Sequence, residues 1–202
     1  GYKWNPAVDT LPLLGGADAA GKLNDLLKDA AGGKILGQDL YLYIRQKATV
    51  WGVNEEYLSS AALDDLECAW SCTQGFLNGT ESSSIPVLCV FDSEEVGSSS
   101  VQGAASKLLE STLKRICDSL GLDEQIMLAN SFMISADNAH AVHPNHPEYM
   151  DKNHAVYMNE GVVIKYNANQ KYTSDAVSAA VFRLVCEAAD VPVQMYANRA
   201  DM

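Results

Sequence analysis

The sequence predicts an α/β chain in which strands and helices alternate from about residue 54 onward. Two observations support this prediction. Short apolar runs with the length of buried strands occur at 87–91, 131–136 and 162–168, and the stretches between them carry apolar residues at helical spacing. This alternation is typical of a layered domain in which helices pack on a mainly parallel sheet. Residues 1–53 lack it, so we expect them to belong to a different domain.

The first 53 residues predict one helix and one β-rich segment. The helix covers Asp18–Ala31 and is ended by Gly32 and Gly33. In Asp39–Val53, apolar side chains alternate with the period of a half-buried strand. The alternating residues are Leu40, Leu42 and Ile44.

Three helices and a final strand are predicted beyond residue 58. Apolar residues mark the first helix from Leu63 to Leu77. The second covers Val101–Leu120, keeps the i, i+3, i+4, i+7 spacing and stops at Gly121. Ser174 is predicted to cap the third helix, because a serine hydroxyl can accept from a free amide of the first turn. The last predicted strand is Val193–Ala197.

The charge balance and the apolar pattern exclude two classes of partner. Lys and Arg number 14 and Asp and Glu 26, which gives a net charge of −12. Because the basic residues are scattered, the chain has no stripe that could attract a phosphate backbone. The apolar runs are much shorter than the ~18–20 residues that a membrane helix needs. We therefore expect neither a nucleic-acid partner nor a membrane partner.

Three separate segments bring carboxylates toward the sheet edge where open α/β folds bind their ligands. They supply Asp64 with Asp65, Glu94 with Glu95, and Asp137. Like charges held together raise one another's pKa unless a cation neutralises them. Two divalent metals about 3.5–4 Å apart would do so and would activate one water molecule. The alternative is that these acidic residues occupy solvated loops, and the pattern alone leaves both interpretations open.

The histidines offer a second candidate metal site. All four lie between residues 140 and 154, and three of them are spaced by three. These three are His140, His143 and His146. Pro144 and Pro147 exclude a continuous helix here, so the rings do not share a helical face. A metal-binding histidine loop remains an alternative hypothesis.

Cys68 and Cys72 are four residues apart and share one face of a predicted helix. They are interpreted either as a metal or redox pair or as small buried apolar side chains. We favour the second interpretation, because the cysteine count is odd and the spacing is not that of a zinc ribbon.

Several motifs together resemble the aspartyl aminopeptidase family. The motifs are DSEEVGS at 92–98, SADNAHAVHPNHPEYMDKNH at 135–154 and GVVIKYNANQKYTSDAVSAAVF at 161–182. Further matches are GYKWNPAVDTLPLLGG at 1–16, NEEY at 54–57, LDDL at 63–66 and ANRADM at 197–202. The resemblance implies part of a layered α/β/α zinc-peptidase domain over 54–202. It implies the end of a β-rich dimerisation domain over 1–53.

The resemblance also implies roles for individual residues. Asp64 matches the carboxylate that bridges two metals, and Glu95 and Asp137 match further metal ligands. Glu94 matches the general base. The residues that match substrate contacts are His140 and Lys165. The implied cofactor is zinc, two ions per complete site, with manganese or cobalt as alternatives.

Two histidine ligands of that family have no counterpart in this sequence. One belongs to a His-Thr-Asp motif near the family's N-terminus, and the other lies near its C-terminus. The resemblance therefore implies an internal fragment. We expect the isolated chain to be inactive, because carboxylates alone would bind zinc weakly. We also expect it to self-associate through exposed apolar side chains, namely Leu40, Leu42 and Trp51.

The expected function is that of a metallo-aminopeptidase that removes an N-terminal residue, preferably Asp or Glu, from peptides. The expected partners are peptide substrates and further copies of the chain, and the expected location is the cytoplasm. The alternative is a non-enzymatic shell or assembly subunit that keeps the fold. The presence of all four matched carboxylates favours the enzyme, because a shell has no physical need to keep clustered charges.

Overall fold

The computed structural model of this chain describes residues 3–80 and 82–198. The chain divides into two compact units, residues 1–46 and 47–202. The assignment of residues 1–53 to a dimerisation domain and of 54–202 to a peptidase domain stays a prediction. A hairpin of the second unit spans residues 53 and 54.

From residue 3 onward, the first unit contains two α-helices and a short 3-10 helix at Ala17–Ala19. Helix α1 (Pro6–Asp9) begins after Asn5, whose side chain accepts a hydrogen bond from the amide of Ala7 at 3.2 Å. Helix α2 (Lys22–Ala31) ends at Gly32, which has a positive φ of 62°. This end is the predicted one, since glycine adopts the left-handed conformation without steric cost.

The predicted β-rich segment forms a strand only at its end. Residues 37–48 carry no helix or strand, and β1 covers Thr49–Trp51. Strand β1 pairs in antiparallel with β2 (Tyr57–Ser59), where the indole N–H of Trp51 donates to the Ser59 hydroxyl at 2.7 Å. The prediction of a longer strand was wrong because an alternating pattern needs a partner for its backbone groups, and no described segment pairs with residues 39–48.

The helices that follow are α3 (Leu63–Leu77), α4 (Leu108–Leu120) and α5 (Glu124–Ala129). Helix α3 has the predicted bounds, but α4 begins later than the predicted Val101. Residues 98–107 are mostly turns and bends instead. Gly103 lies so close to the chain at Ser98 that a Cβ on it would clash with the Ser98 carbonyl oxygen. This close approach of two backbone segments cannot be detected from helical periodicity.

The C-terminal region is a βαβ unit. Strand β3 (Val162–Tyr166) and strand β4 (Val193–Ala197) are parallel, with Ile164 opposite Met195, and helix α6 (Ala176–Ala188) connects them. The predicted cap of α6 was wrong by one residue. The N-cap is Asp175, not Ser174: its carboxylate accepts a hydrogen bond from the Ser178 amide at 2.7 Å. In return, the Ser178 hydroxyl oxygen accepts a hydrogen bond from the Asp175 amide.

The sheet is smaller than the sequence predicts. The apolar runs 87–91 and 131–136 carry no strand, and the described residues form two sheets of two strands each. A buried apolar run becomes a strand only where another backbone pairs with it, which the run itself does not encode. The mixed α/β class is nevertheless confirmed.

Among the described residues, the buried apolar side chains all lie in the second half of the chain. They are Cys117, Val156, Ile164, Ala179, Cys186 and Tyr196. The predicted exposure of three apolar side chains is confirmed, since Leu40, Leu42 and Trp51 are 55%, 76% and 51% exposed. Across the described residues, no helix is both long enough and apolar enough to span a bilayer.

Candidate metal centre

The start of α3 supplies two adjacent carboxylates. Asp64 (φ −87°, ψ 108°) and Asp65 (φ −119°, ψ 28°) depart from helical geometry, and the peptide bond between them is cis. Asp64 is exposed and Asp65 is half-buried. The Oδ1 atom of Asp65 is buried and has no hydrogen-bond partner among the described residues.

Asp137 comes to this site from a segment far along the chain. It follows the apolar run 131–136, and the ammonium of Lys165 on β3 holds it in place. Lys165 Nζ lies 2.5 Å from Asp137 Oδ2 and 2.5 Å from the carbonyl oxygen of Asn138. The Lys165 side chain is only 14% exposed, and its ammonium lies 5.5 Å from the centre of the Tyr172 ring.

The three aspartates form one acidic cluster. Carboxylate oxygens of Asp64, Asp65 and Asp137 lie within 4.8 Å of one another. The pKa of Asp64 is raised above its ordinary 3.8, first by partial desolvation and then by the negative charges of Asp137, Asp65 and Glu95. Mutual repulsion of this kind is relieved by a cation.

Glu94 and Glu95 lie in a turn that is outside the acidic cluster. The Gly97 amide donates to the Ser93 carbonyl at 2.7 Å and closes the turn around them. Ser93 and Gly97 have φ angles of 62° and 147°. Both glutamates are exposed. The charge of Glu95 acts on Asp64, but neither glutamate belongs to the group of converging oxygens.

A hydrogen-bond network links α3 to the segment of Asp137. The Cys68 thiol donates to Asn138 Oδ1 at 3.2 Å, and Asn138 Nδ2 donates to Glu67 Oε2 at 3.2 Å. Burial, the adjacent Asp65 carboxylate and the other nearby negative charges raise the pKa of Cys68 to about 12. Cys68 is therefore a protonated thiol at neutral pH and a hydrogen-bond donor.

The histidines do not assemble into a metal site. His140, a predicted substrate contact, is exposed. The Nδ1 atoms of the other three are engaged locally: His143 accepts from the Asn145 amide, His146 pairs with Glu148, and His154 pairs with Asp151. Within residues 3–80 and 82–198, the acidic cluster is the only group of three or more candidate ligands. The histidine-loop hypothesis is therefore not supported.

The cysteines are all free. Cys117 and Cys186 are buried, as expected for small apolar side chains, whereas Cys68 and Cys72 are half-buried and Cys89 is exposed. Neither Cys68 nor Cys72 belongs to the acidic cluster, so a metal role for this pair is not supported among the described residues.

The acidic cluster fits a divalent cation. Its donors are carboxylate oxygens, the charge of the site is negative, and a buried oxygen of Asp65 lacks a partner. The sequence pattern placed Asp64, Asp65 and Asp137 among the carboxylates of one edge, whereas the family resemblance gave ligand roles to Asp64 and Asp137 and none to Asp65. The adjacency of Asp65 to Asp64 was the available signal. The assignment of Asp64, Glu95 and Asp137 as ligands and of Glu94 as the base stays a prediction.

An α/β fold that gathers carboxylates from separate segments is typical of metal-dependent hydrolases. The model of the family Aminopeptidase I zinc metalloprotease (M18) matches residues 20–202, and the chain belongs to this family. The resemblance to the aspartyl aminopeptidases that the motifs indicate is thereby confirmed at the level of the M18 family.

Relatives and solved structures agree with this assignment. A probable M18 family aminopeptidase 2 of Clostridium acetobutylicum is 44% identical over 211 residues, which cover 100% of this chain and 49% of that protein. Yeast aminopeptidase 1 superposes with a TM-score of 0.76 at 27% identity, covering 87% of this chain and 43% of its own. The S. cerevisiae mApe1 dodecamer superposes with a TM-score of 0.76 at 27% identity, and the match covers 88% of this chain and 43% of that one. The chain thus spans about half the length of the curated relatives it matches.

Proposed function

We propose that this chain forms part of a zinc-dependent aminopeptidase that removes an acidic residue from the N-terminus of peptides. The observation that supports this most strongly is the convergence of Asp64, Asp65 and Asp137 within 4.8 Å in a member of the M18 family. Asp64, Glu95 and Asp137 would hold zinc, two ions in a complete site. Bound zinc supplies Lewis-acid polarisation of a carbonyl and a lowered pKa of water.

The residues of the chain would divide the remaining work. Glu94 would accept the proton of the attacking water and pass it to the amine that leaves, a contribution of roughly 10²–10⁴-fold in rate. Its exposed position in the turn 93–97 keeps it outside the acidic cluster and leaves the carboxylate open to a substrate. Glu95 shares this turn and this exposure, so the choice of Glu94 as the base and of Glu95 as a ligand rests on the match to the family motif.

Lys165 and His140 would orient the substrate. The Lys165 side chain is 14% exposed, and its ammonium, which contacts Asp137, could also pair with the carboxylate of an acidic substrate side chain, since burial strengthens such a pair. In the full-length protein, Lys165→Met should therefore raise KM for an N-terminal Asp substrate much more than for an N-terminal Leu substrate. Because Lys165 also contacts Asp137, the two proteins are compared at equal zinc content, and an equal change for both substrates at that content would contradict the proposed acidic preference.

The assignment of the base is tested by two matched variants of the full-length protein. Glu94→Gln should keep the zinc content, measured by atomic emission, and lose most of the turnover. Glu95→Gln should lose both zinc and turnover. Loss of zinc to the same extent in the two variants would contradict the division of roles. A shell subunit without activity would give no turnover in the unmodified protein.

We expect the 202-residue chain alone to be inactive on an aspartyl-peptide substrate. The acidic cluster contains carboxylates and no imidazole, and imidazole is the ligand type that zinc sites of this class usually include. Misplacement of the reacting groups by about 1 Å can already cost ~100-fold in rate. The measurement is turnover with added zinc, manganese or cobalt. Turnover near that of the full-length enzyme would show that the carboxylates suffice.

We also propose that the protein assembles as a homo-oligomer in the cytoplasm. The oligomer is supported by the dodecamer that the S. cerevisiae mApe1 forms. The exposed Leu40, Leu42 and Trp51 offer apolar surface for such contacts. Light scattering of the full-length protein tests the assembly, and a monomer at micromolar concentration would contradict it.

A further inference from the structure

Asn138 contacts both of the elements that flank the acidic cluster. Its side-chain amide accepts from the Cys68 thiol and donates to Glu67 Oε2, each at 3.2 Å. Cys68 and Glu67 lie on α3, about one turn beyond Asp64. The two contacts therefore fasten the residue after Asp137 to the helix that carries Asp64.

The backbone of Asn138 is held by a residue of β3. Its carbonyl oxygen accepts from Lys165 Nζ at 2.5 Å, and the same ammonium contacts the Asp137 carboxylate. Lys165 belongs to β3. Asn138 is thus held by α3 through its side chain and by β3 through its backbone, while Asp137 is adjacent to it in the chain.

We propose that Asn138 is a positioning residue that holds the Asp137 carboxylate opposite Asp64 and thereby sets the affinity of the acidic cluster for a divalent cation. The inference rests on the proposed function, because it presumes that the cluster binds the metal. Groups that orient metal ligands typically contribute 10–100-fold to metal affinity.

An amide is the side chain that these partners require. It offers an acceptor to the thiol and a donor to the carboxylate at the same time. Aspartate at this position would present only acceptors to Glu67 and would add a negative charge beside Asp137. Alanine would remove both contacts and leave the segment held by Lys165 alone.

The test is a cobalt titration of the full-length protein, followed by the visible absorption of the bound Co²⁺. Asn138→Ala should weaken Co²⁺ binding by about 10–100-fold and alter the absorption spectrum of the bound ion. Asn78→Ala is the matched control, since Asn78 caps the same helix and donates only to Gln74 within it, at 2.8 Å. This control should bind Co²⁺ like the unmodified protein.

A second pair of variants keeps the inference testable if Asn138→Ala does not fold. Cys68→Ala removes the donor to Asn138 and should weaken Co²⁺ binding, whereas Cys68→Ser keeps a donor and should restore it. A merely structural role of this position would not produce rescue by serine together with a recovered spectrum.

The outcomes separate this inference from the proposed function. If Asp64→Asn abolishes Co²⁺ binding while Asn138→Ala and Cys68→Ala bind like the unmodified protein, the positioning role is overturned and the metal site stands. If the unmodified full-length protein does not bind Co²⁺, or if its Asp64→Asn variant binds it equally well, both the inference and the proposed site are overturned.

Discussion

Replacing Asp64 by Asn should stabilise the metal-free chain while removing its metal affinity. Asp64 carries a charge within 4.8 Å of Asp65 and of Asp137. Because Asp64 is exposed, the dielectric constant of water applies, and 332/(80 × 4.8) gives about 0.9 kcal/mol of repulsion for each pair. Lys165 already offsets part of the charge of Asp137. We therefore expect a net gain of about 1 kcal/mol at low ionic strength.

Salt provides the internal check on this magnitude. At an ionic strength of about 0.15 M the Debye length is ~8 Å, which should reduce the gain to about half. The assay is urea unfolding, followed by circular dichroism, at neutral pH with a chelator and at low and physiological salt. Glu160→Gln is the control, because it removes an exposed carboxylate outside the acidic cluster.

Added zinc should reverse the order of stability. A ligand that binds only the native state at 100 times its Kd adds ~2.7 kcal/mol, so the unmodified chain should become the more stable one. The Asp64→Asn variant should gain much less stability from added zinc. A variant that is destabilised without metal, or that gains from zinc as much as the unmodified chain, would refute the reasoning that links repulsion to metal binding.

Three further outcomes follow from the same structure. The raised pKa of Asp64 means that, just above pH 3.8, the native state keeps a proton that the unfolded state has lost. Stability from this group should therefore rise as the pH falls through that window, and Asp64→Asn should abolish the rise in urea midpoints. Ile164→Ala removes a side chain that is 6% exposed and should lower the free energy of unfolding by about 2–5 kcal/mol, against ~1 for Ile164→Val; equal midpoints would show that the site is not packed. Iodoacetamide at pH 8 should modify the exposed Cys89 before Cys68, whose pKa of about 12 keeps it protonated, and peptide mass spectrometry showing the opposite order would contradict the burial of Cys68.

Local signals in the sequence predicted those elements whose formation depends on their own residues. Helix α3 has the predicted bounds, and α2 ends at the predicted Gly32, because apolar spacing and a glycine stop act within one segment. Strands β3 and β4 are also where the pattern placed them. The N-cap of α6 was predicted one residue too early. Asp175 and Ser174 are both good cap residues, and only the backbone of the folded chain selects between them.

The sequence by itself determined the α/β class, the acidic charge and the family, because these depend on composition, periodicity and residue order along the chain. It also pointed to Asp64 and Asp137 as members of one site. Only the tertiary structure decided that Asp65 rather than Glu95 converges with them, that Lys165 lies against Asp137, and that Asn138 contacts α3. It also decided that the apolar runs 87–91 and 131–136 carry no strand. The physical reason is that strand pairing, an ion pair and a cluster of charges each require two segments that are distant in the chain. A local sequence pattern does not specify which distant segment will lie beside it.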